Sequence, residues 1–123
     1  SERIILPDAC LALDYILDTF TWVMQDLKVY PDRMKQNIEL GRGLVFSQRL
    51  MLALVAKGLQ REKAYRIVQA HAMAAWDNDK DFRVLSKSDP IVSGLLTGSE
   101  LEDIFDYSFY SKHVSEVFDR LGI

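Results

Sequence analysis

Residues 8–27 restrict what this chain folds into more than any other segment. Thirteen of these twenty residues are apolar, and they are not confined to one stripe of a helix. Four of the polar positions, spaced four, three and four residues apart, form one narrow ridge: Asp14, Asp18, Thr21 and Gln25. A surface helix of a small domain shows a wider polar face than this. The segment is therefore predicted to be a bundle helix that needs neighbours on most of its sides.

The start of this helix is predicted from two adjacent residues. Pro7 is interpreted as the end of a short extended segment, and Asp8 as an N-cap whose carboxylate accepts hydrogen bonds from the first turn. The helix is expected to run from Asp8 to about Leu27.

The remaining sequence has helical periodicity, and no stretch alternates long enough to indicate a strand. We predict an all-α fold, with one long bundle-type helix followed by a small helical C-terminal domain. The further helices are predicted at 31–41, 44–57, 61–76, 82–85, 100–105 and 110–121. Gly41-Arg42-Gly43 and Gly58 are interpreted as helix ends, although the first could also hold an anion on its backbone N–H groups.

Two of these helices have apolar faces that are predicted to be buried. In the helix at 61–76 the face comprises Ala64, Ile67, Val68, Ala72, Ala75 and Trp76. In the helix at 110–121 it comprises Val114, Val117, Phe118 and Leu121.

The composition limits compartment and partners. The 123 residues carry a net charge of −3 and one cysteine, Cys10, so no internal disulfide is possible and a reducing, cytoplasmic setting is predicted. Residues 28–66 hold nine bases and three acids, for +6, which we interpret as solvated helix faces. No basic strip with interleaved aromatics and no long apolar run is present. Neither nucleic acid nor a membrane is predicted as a partner.

No residue pattern indicates catalysis or a cofactor. His71 and His113 lack metal-ligand spacing and are interpreted as structural, and Cys10 is interpreted as a packing residue without neighbouring bases. The acidic loop 77–81 lacks the glycine and the closing glutamate of a calcium-binding EF-hand loop, so it is interpreted as solvated. We predict no metal and no cofactor.

Several sequence blocks occur in an order that resembles one enzyme family. The blocks are "SERIILPD", "LKVYPDRMKQNIEL", "GRGLVFSQRLMLALVAKG", "REKAYRIVQAHAMAAW" and "FDYSFYSKHVSEVFDRLG". Together they resemble the C-terminal part of bacterial adenylosuccinate lyases, a family of the fumarase/aspartase superfamily. The resemblance covers essentially the whole chain.

The resemblance implies an activity, a domain organisation and a partner. The family cleaves succinyl-AMP to AMP and fumarate, and cleaves the succinylated imidazole-carboxamide ribotide of purine biosynthesis in the same way. Residues 1–28 would be the last helix of the central helical-bundle domain, and residues 29–123 the C-terminal helical domain. The family forms homotetramers, so residues 8–27 would contact other subunits.

Among site residues, the resemblance implies a role for Arg3 alone. The family's arginine at this "ER…PD" position helps to bind the nucleotide, and a guanidinium can meet phosphate oxygens in pairs. The family commonly has serine after the aspartate, where this sequence has Ala9, so no contact is assigned there. The family's acid/base histidines and catalytic serine belong to regions that these blocks do not match. No catalytic residue is therefore assigned, and the 123 residues alone are predicted to be inactive.

One alternative comes from a different class of protein. The apolar first helix would also suit a stand-alone helical interaction module that binds a partner helix. The reading frame upstream of Ser1 discriminates the two hypotheses, since a lyase predicts a continuing frame with a serine-containing loop and a module predicts a start codon.

Overall fold

The computed structural model describes residues 2–123, and within them it contains eight α-helices, two short 3-10 helices and no strand. The predicted all-α fold is confirmed. The α-helices are α1 Glu2–Gln25, α2 Pro31–Glu39, α3 Ser47–Ala56, α4 Arg61–Asp77, α5 Phe82–Ser88, α6 Pro90–Leu95, α7 Gly98–Ile104 and α8 Val114–Leu121. The 3-10 helices are Leu44–Phe46 and Tyr107–Ser111. None of the described helices is long and apolar enough to cross a bilayer.

The chain divides into two compact units, one ending at Met34 and the other beginning at Lys35. The first unit consists of α1 and the beginning of α2, and none of its described residues is buried. The second unit contains the hydrophobic core. The predicted domain boundary between residues 28 and 29 remains a prediction about the longer protein.

Helix α1 begins earlier than predicted. It starts at Glu2 and includes Pro7, so Asp8 lies inside the helix and the predicted N-cap at Asp8 is wrong. Proline fixes φ near the helical value, which lets it continue a helix, but it has no N–H to donate. The carbonyl of Arg3, four residues before Pro7, therefore receives no helical hydrogen bond from that position. The predicted short extended segment before Pro7 is also wrong, because the described residues before Pro7 belong to α1.

The core of the second unit is built mainly from α3, α4, α5 and α7. Its buried apolar residues are Phe46, Leu50, Leu54, Ala64, Val68, Ala75, Phe82, Val92, Leu96, Leu101, Ile104 and Phe105. Phe46 lies at its centre, with ring centroids 5.7 Å from Phe105 and 4.8 Å from Tyr107. Ser86 is also fully buried, and its hydroxyl has no hydrogen-bond partner among the described residues.

The predicted core face of α4 is confirmed except at one residue. Ala64, Val68 and Ala75 are buried, and Ile67 and Ala72 pack partly buried against the core. The predicted burial of Trp76 is wrong, because 69% of its surface is exposed. One residue turns a helix by about 100°, so a position directly after the buried Ala75 points well away from the core.

The predicted helix end at Gly58 is confirmed, and α2 ends at Glu39, two residues before the predicted end at Gly41. Gly43 has φ +79° and Gly58 has φ +93°, in the left-handed region that favours glycine. Arg42 is also left-handed, with φ +48°, so two consecutive left-handed residues redirect the chain between α2 and the Leu44–Phe46 turn.

Side-chain caps define the three short helices that follow α4. The Asp81 carboxylate accepts from the Arg83 N–H at the start of α5, and the Asp89 carboxylate accepts from the N–H groups of Ile91 and Val92 at the start of α6. Helix α6 was not predicted. Its signal is Asp89-Pro90, an N-cap followed by a proline in the first turn.

Helix α7 begins with a capping box. The Thr97 hydroxyl accepts from the Glu100 N–H at 3.3 Å, and a Glu100 carboxylate oxygen accepts from the Thr97 N–H at 2.8 Å. The hydrogen bond from Lys57, followed by those from the Thr97 backbone and side chain, lowers the pKa of Glu100 to about 2. Both orphan donors at this helix start are therefore satisfied.

Replacing Thr97 with alanine is expected to lower the free energy of unfolding by about 1 kcal/mol, the usual cost of losing an N-cap side chain. Urea unfolding followed by circular dichroism, at one fixed protein concentration, measures the change. Thr97→Ser keeps the hydroxyl and serves as the matched control. Equal midpoints for Thr97→Ala and Thr97→Ser would contradict a capping role.

The C-terminal helix is shorter and more exposed than predicted. Residues Tyr107–Ser111 form a 3-10 helix, and α8 begins at Val114. Val114, Val117, Phe118 and Leu121 do lie at helical spacing, but all four are exposed, so their predicted burial is wrong. The sequence pattern identifies the apolar face of a helix; burial also requires another element to cover that face.

Candidate functional site

Arg3, the one residue assigned to a site, lies in the first turn of α1, and its side chain is exposed. The N-terminal end of a helix carries a partial positive charge, which adds to the charge of a guanidinium there. Glu2 lies beside it and contributes an acidic group to the same turn. This acid offsets the positive charge, so the local structure shows only that the Arg3 side chain is accessible to a ligand.

The apolar surface of α1 is exposed along the whole helix. The exposed residues include Leu11, Leu13, Tyr15, Ile16, Leu17, Phe20, Trp22, Val23 and Met24. On the polar ridge, the Thr21 hydroxyl donates to the Leu17 carbonyl at 2.8 Å within the helix itself. Cys10 is exposed as well, and its predicted packing role, which falls within the predicted interface at residues 8–27, stays a prediction. An exposed apolar surface of this extent is typical of an interface.

In the second unit, Arg83 forms the most connected polar group, which we name the Arg83 clamp: Glu39, Asp81, Arg83 and Tyr107. Arg83 Nη2 lies 2.8 Å from Glu39 Oε2 and 2.6 Å from Asp81 Oδ2. The Tyr107 hydroxyl donates to Glu39 Oε1 at 3.0 Å. One guanidinium thus joins the end of α2 to the start of α5, and a tyrosine from the second 3-10 helix completes the contact.

Hydrogen bonds control the ionisation of the clamp. Hydrogen bonding from Arg83 holds the pKa of Glu39 below its usual value, although burial opposes this shift. Hydrogen bonding from Arg83 lowers the pKa of Asp81 in the same way, again against burial. Burial, together with the bond to Glu39, raises the pKa of Tyr107. Carboxyl groups with lowered folded-state pKa values stabilise the fold above their unfolded pKa values. That stabilisation is lost as pH falls through the folded values, so the clamp is intact at neutral pH.

The two histidines have structural partners. His71 Nε2 lies 2.9 Å from Asp89 Oδ2, which ties α4 to the residue that caps α6. Burial raises the pKa of Asp89, but the N–H groups of Val92 and Ile91 and the His71 ring outweigh burial and keep it lowered. His113 Nδ1 lies 2.8 Å from Glu116 Oε1. Both contacts agree with the prediction that these histidines are structural.

Arg49 supports the end of α7. Its Nη1 donates to the carbonyls of Asp103 and Ile104, both at 2.8 Å, and its guanidinium carbon lies 3.8 Å from the centroid of the Phe109 ring. The last carbonyls of a helix have no N–H partner within the helix, so the Arg49 guanidinium supplies the hydrogen-bond donors here. Arg49, in the block "GRGLVFSQRLMLALVAKG", therefore has a structural role.

The acidic loop after α4 is used for ion pairs and capping. Asp79 pairs with Arg42, and Asp81 caps α5. No group of three or more metal-ligating side chains occurs among residues 2–123. The prediction of no cofactor is not tested by this observation.

A trough lies between α3 and α4 in the second unit. Its larger part has a volume of about 670 Å³ and is lined by Met51, Gln60, Arg61, Glu62 and Tyr65. A smaller part of about 230 Å³ shares Met51 and Tyr65. The trough holds none of the residues assigned to a site.

Comparison with known proteins identifies the relatives of the chain. The family model described as "Adenylosuccinate lyase C-terminus" matches residues 43–121. The chain is 43% identical over 123 residues to "Adenylosuccinate lyase" of Streptococcus mutans and 43% identical over 123 residues to that of Bacillus subtilis, covering 100% of this chain in both cases. It is 47% identical over 119 residues, 97% of the chain, to "Adenylosuccinate lyase" of Thermotoga maritima. In each case it spans 28% of the relative's length.

Proposed function

The chain belongs to the adenylosuccinate lyase family, and from that premise we propose that it acts as the C-terminal part of a lyase that cleaves succinyl-AMP to AMP and fumarate. The same enzyme would cleave the succinylated imidazole-carboxamide ribotide to its amide and fumarate. The observation that carries the proposal is the match over essentially the whole chain to proteins named adenylosuccinate lyase, at 43–47% identity. This match favours the lyase over a stand-alone interaction module.

The proposed reaction is an elimination that breaks a carbon–nitrogen bond. A base removes the proton next to a carboxylate, and an acid protonates the departing nitrogen. We assign neither role to a residue of this chain. Its proposed contribution is nucleotide binding by Arg3, for which an exposed guanidinium in a helical first turn is suited.

We also propose the domain assignment and the partner implied by the family. Residues 1–28 would complete the central helical bundle, and residues 29–123 would form the C-terminal domain. The exposed apolar surface of α1 supports packing against further helices, in a homotetramer formed through residues 8–27. We place the enzyme in the cytoplasm, in keeping with its one cysteine.

A chimeric enzyme tests the proposal. The segment of the Thermotoga maritima relative that aligns with this chain is replaced by residues 1–123, and fumarate release from succinyl-AMP is followed by absorbance. We expect the chimera to turn over substrate because the two segments are 47% identical over 119 residues. The 123-residue chain alone is expected to release no fumarate.

Two controls define the outcome of that experiment. The relative truncated before the replaced segment should be inactive, which shows that the segment is needed. A chimera that folds and assembles like the parent relative but releases no fumarate would contradict the proposed function.

A further inference from the structure

The segment 35–43 enters the helical core of the second unit by a sharp change of direction. Helix α2 ends at Glu39, and none of its residues is buried. Residues 40–43 then form a turn in which Arg42 and Gly43 are both left-handed. The N–H groups of Leu40, Gly41 and Arg42 donate to carbonyls of α2, at Gln36, Ile38 and Glu39, so the turn is joined to α2 as far as the Arg42 N–H. The change of direction therefore lies at Arg42 and Gly43, and side-chain contacts across these two residues help to fix it.

The Arg83 clamp supplies these contacts on the α2 side of the turn. Glu39 receives Arg83 Nη2 at 2.8 Å and the Tyr107 hydroxyl at 3.0 Å, so both of its carboxylate oxygens are bonded to groups beyond the turn. Arg83 is itself oriented by Asp81, which accepts from its Nε and Nη2. Because Asp81 also caps α5, the guanidinium is fixed to a helix that belongs to the core.

The same part of α5 contacts the turn from the core side. The Phe82 N–H donates to the Arg42 carbonyl at 2.9 Å. A Cβ built on Gly43 would lie 2.9 Å from Arg83 Cγ, so the arginine stem packs directly on this glycine. Arg83 therefore contacts the turn with its stem and the helix before the turn with its head.

We infer that Arg42 and Gly43 are a hinge and that the Arg83 clamp is the latch that holds residues 35–39 in one direction. The latch is made of ions and one phenol, and the Arg83 and Glu39 side chains are only partly buried. Water and salt screen such pairs, so the latch opens more readily than apolar packing of the same extent would. When it is open, the two left-handed residues let the segment swing without disturbing the core.

Spin-label distances test this inference. Nitroxides are placed at two exposed positions, Lys35→Cys on α2 and Gln69→Cys on α4, in a Cys10→Ser background. The labelled chain is diluted into excess unlabelled chain so that only distances within one molecule are measured. The parent should give one narrow distance, and Arg83→Gln should broaden the distribution to roughly double its width, as a freed hinge segment would.

The matched control is Arg66→Gln, which removes the same charge from an exposed ion pair with Glu62 and should leave the distribution narrow. Glu39→Gln should broaden it as Arg83→Gln does, and Tyr107→Phe should broaden it less. Circular dichroism establishes that α3 and α4 remain folded in each variant. If Arg83→Gln does not fold, the inference is tested with Glu39→Gln instead, because that variant leaves the hydrogen bonds between Arg83 and Asp81 in place. A folded variant of Glu39 or Arg83 with the parent's narrow distance would overturn the inference.

Discussion

In analytical ultracentrifugation the 123-residue chain is expected to sediment as an oligomer, and the double variant Leu17→Glu/Met24→Glu as a monomer. Leu17 and Met24 are seven residues apart, so they lie on one stripe of α1, and they are 55% and 46% exposed. Burying one large apolar side chain contributes about 1.5–3 kcal/mol, and α1 exposes many of them. Association of the chain through residues 8–27 is therefore strongly favoured.

The two glutamates act against association in two ways. Each removes an apolar contact, and each would place a carboxylate in an apolar interface without a partner, which is more costly than the lost contact. Together we expect a loss of at least about 3 kcal/mol, more than a hundredfold in the association constant. The core of the second unit lies in other residues and should stay folded, as circular dichroism would show.

A control on the polar ridge separates position from charge. The single variant Met24→Glu is compared with Gln25→Glu, which adds the same charge about 100° further round the helix, on the face that is already polar. The Gln25→Glu variant should remain associated. Sedimentation of the unmodified chain as a monomer at every concentration, or equal dissociation by Met24→Glu and Gln25→Glu, would show that the apolar stripe is not the interface.

The sequence predicted those features that depend on local chemistry. The all-α fold, the helices around α3 and α4, and the helix end at Gly58 follow from periodicity and from the conformational freedom of glycine. The burial of Ala64, Val68 and Ala75 followed because α4 packs on one face only.

The errors arose where a local rule has more than one outcome. Pro7 is interpreted as the end of a short extended segment, yet its fixed φ also suits a helix, and α1 runs through it. The apolar stripe of α8 has the expected spacing but is exposed, since spacing does not reveal whether another element covers it. Helix α6 was missed because its pattern is too short for periodicity, although its cap at Asp89 was visible.

The Arg83 clamp was beyond prediction for a different reason. Glu39 and Arg83 are 44 residues apart, and Tyr107 is 68 residues from Glu39. Nothing in a single sequence marks three polar residues at such separations as neighbours. Arg3 is the opposite case, because its proposed role comes from its place in a family block, and the structure adds its exposure and its position in the first turn of α1.

In the enzyme that contains this chain, Arg3→Ala is expected to weaken binding of AMP by about 1.5–3 kcal/mol, the usual cost of losing a hydrogen bond to a charged group. This corresponds to roughly a 10- to 150-fold increase in the dissociation constant. Isothermal titration calorimetry measures it directly. Arg120→Ala is the control, because Arg120 is an exposed arginine in the last turn of α8 and has no proposed contact with the nucleotide.

Two comparisons show whether the guanidinium binds the phosphate. Arg3→Lys keeps the charge but cannot form paired hydrogen bonds with two oxygens, so it should recover only part of the lost affinity. Adenosine has no phosphate, so its affinity should be the same in the parent enzyme and in Arg3→Ala. An equal loss for AMP and adenosine would mean that Arg3 acts through the structure of α1 rather than on the phosphate. Unchanged AMP affinity in Arg3→Ala would remove the residue from the site altogether, because a charged contact that contributes nothing on deletion is not a contact in the complex.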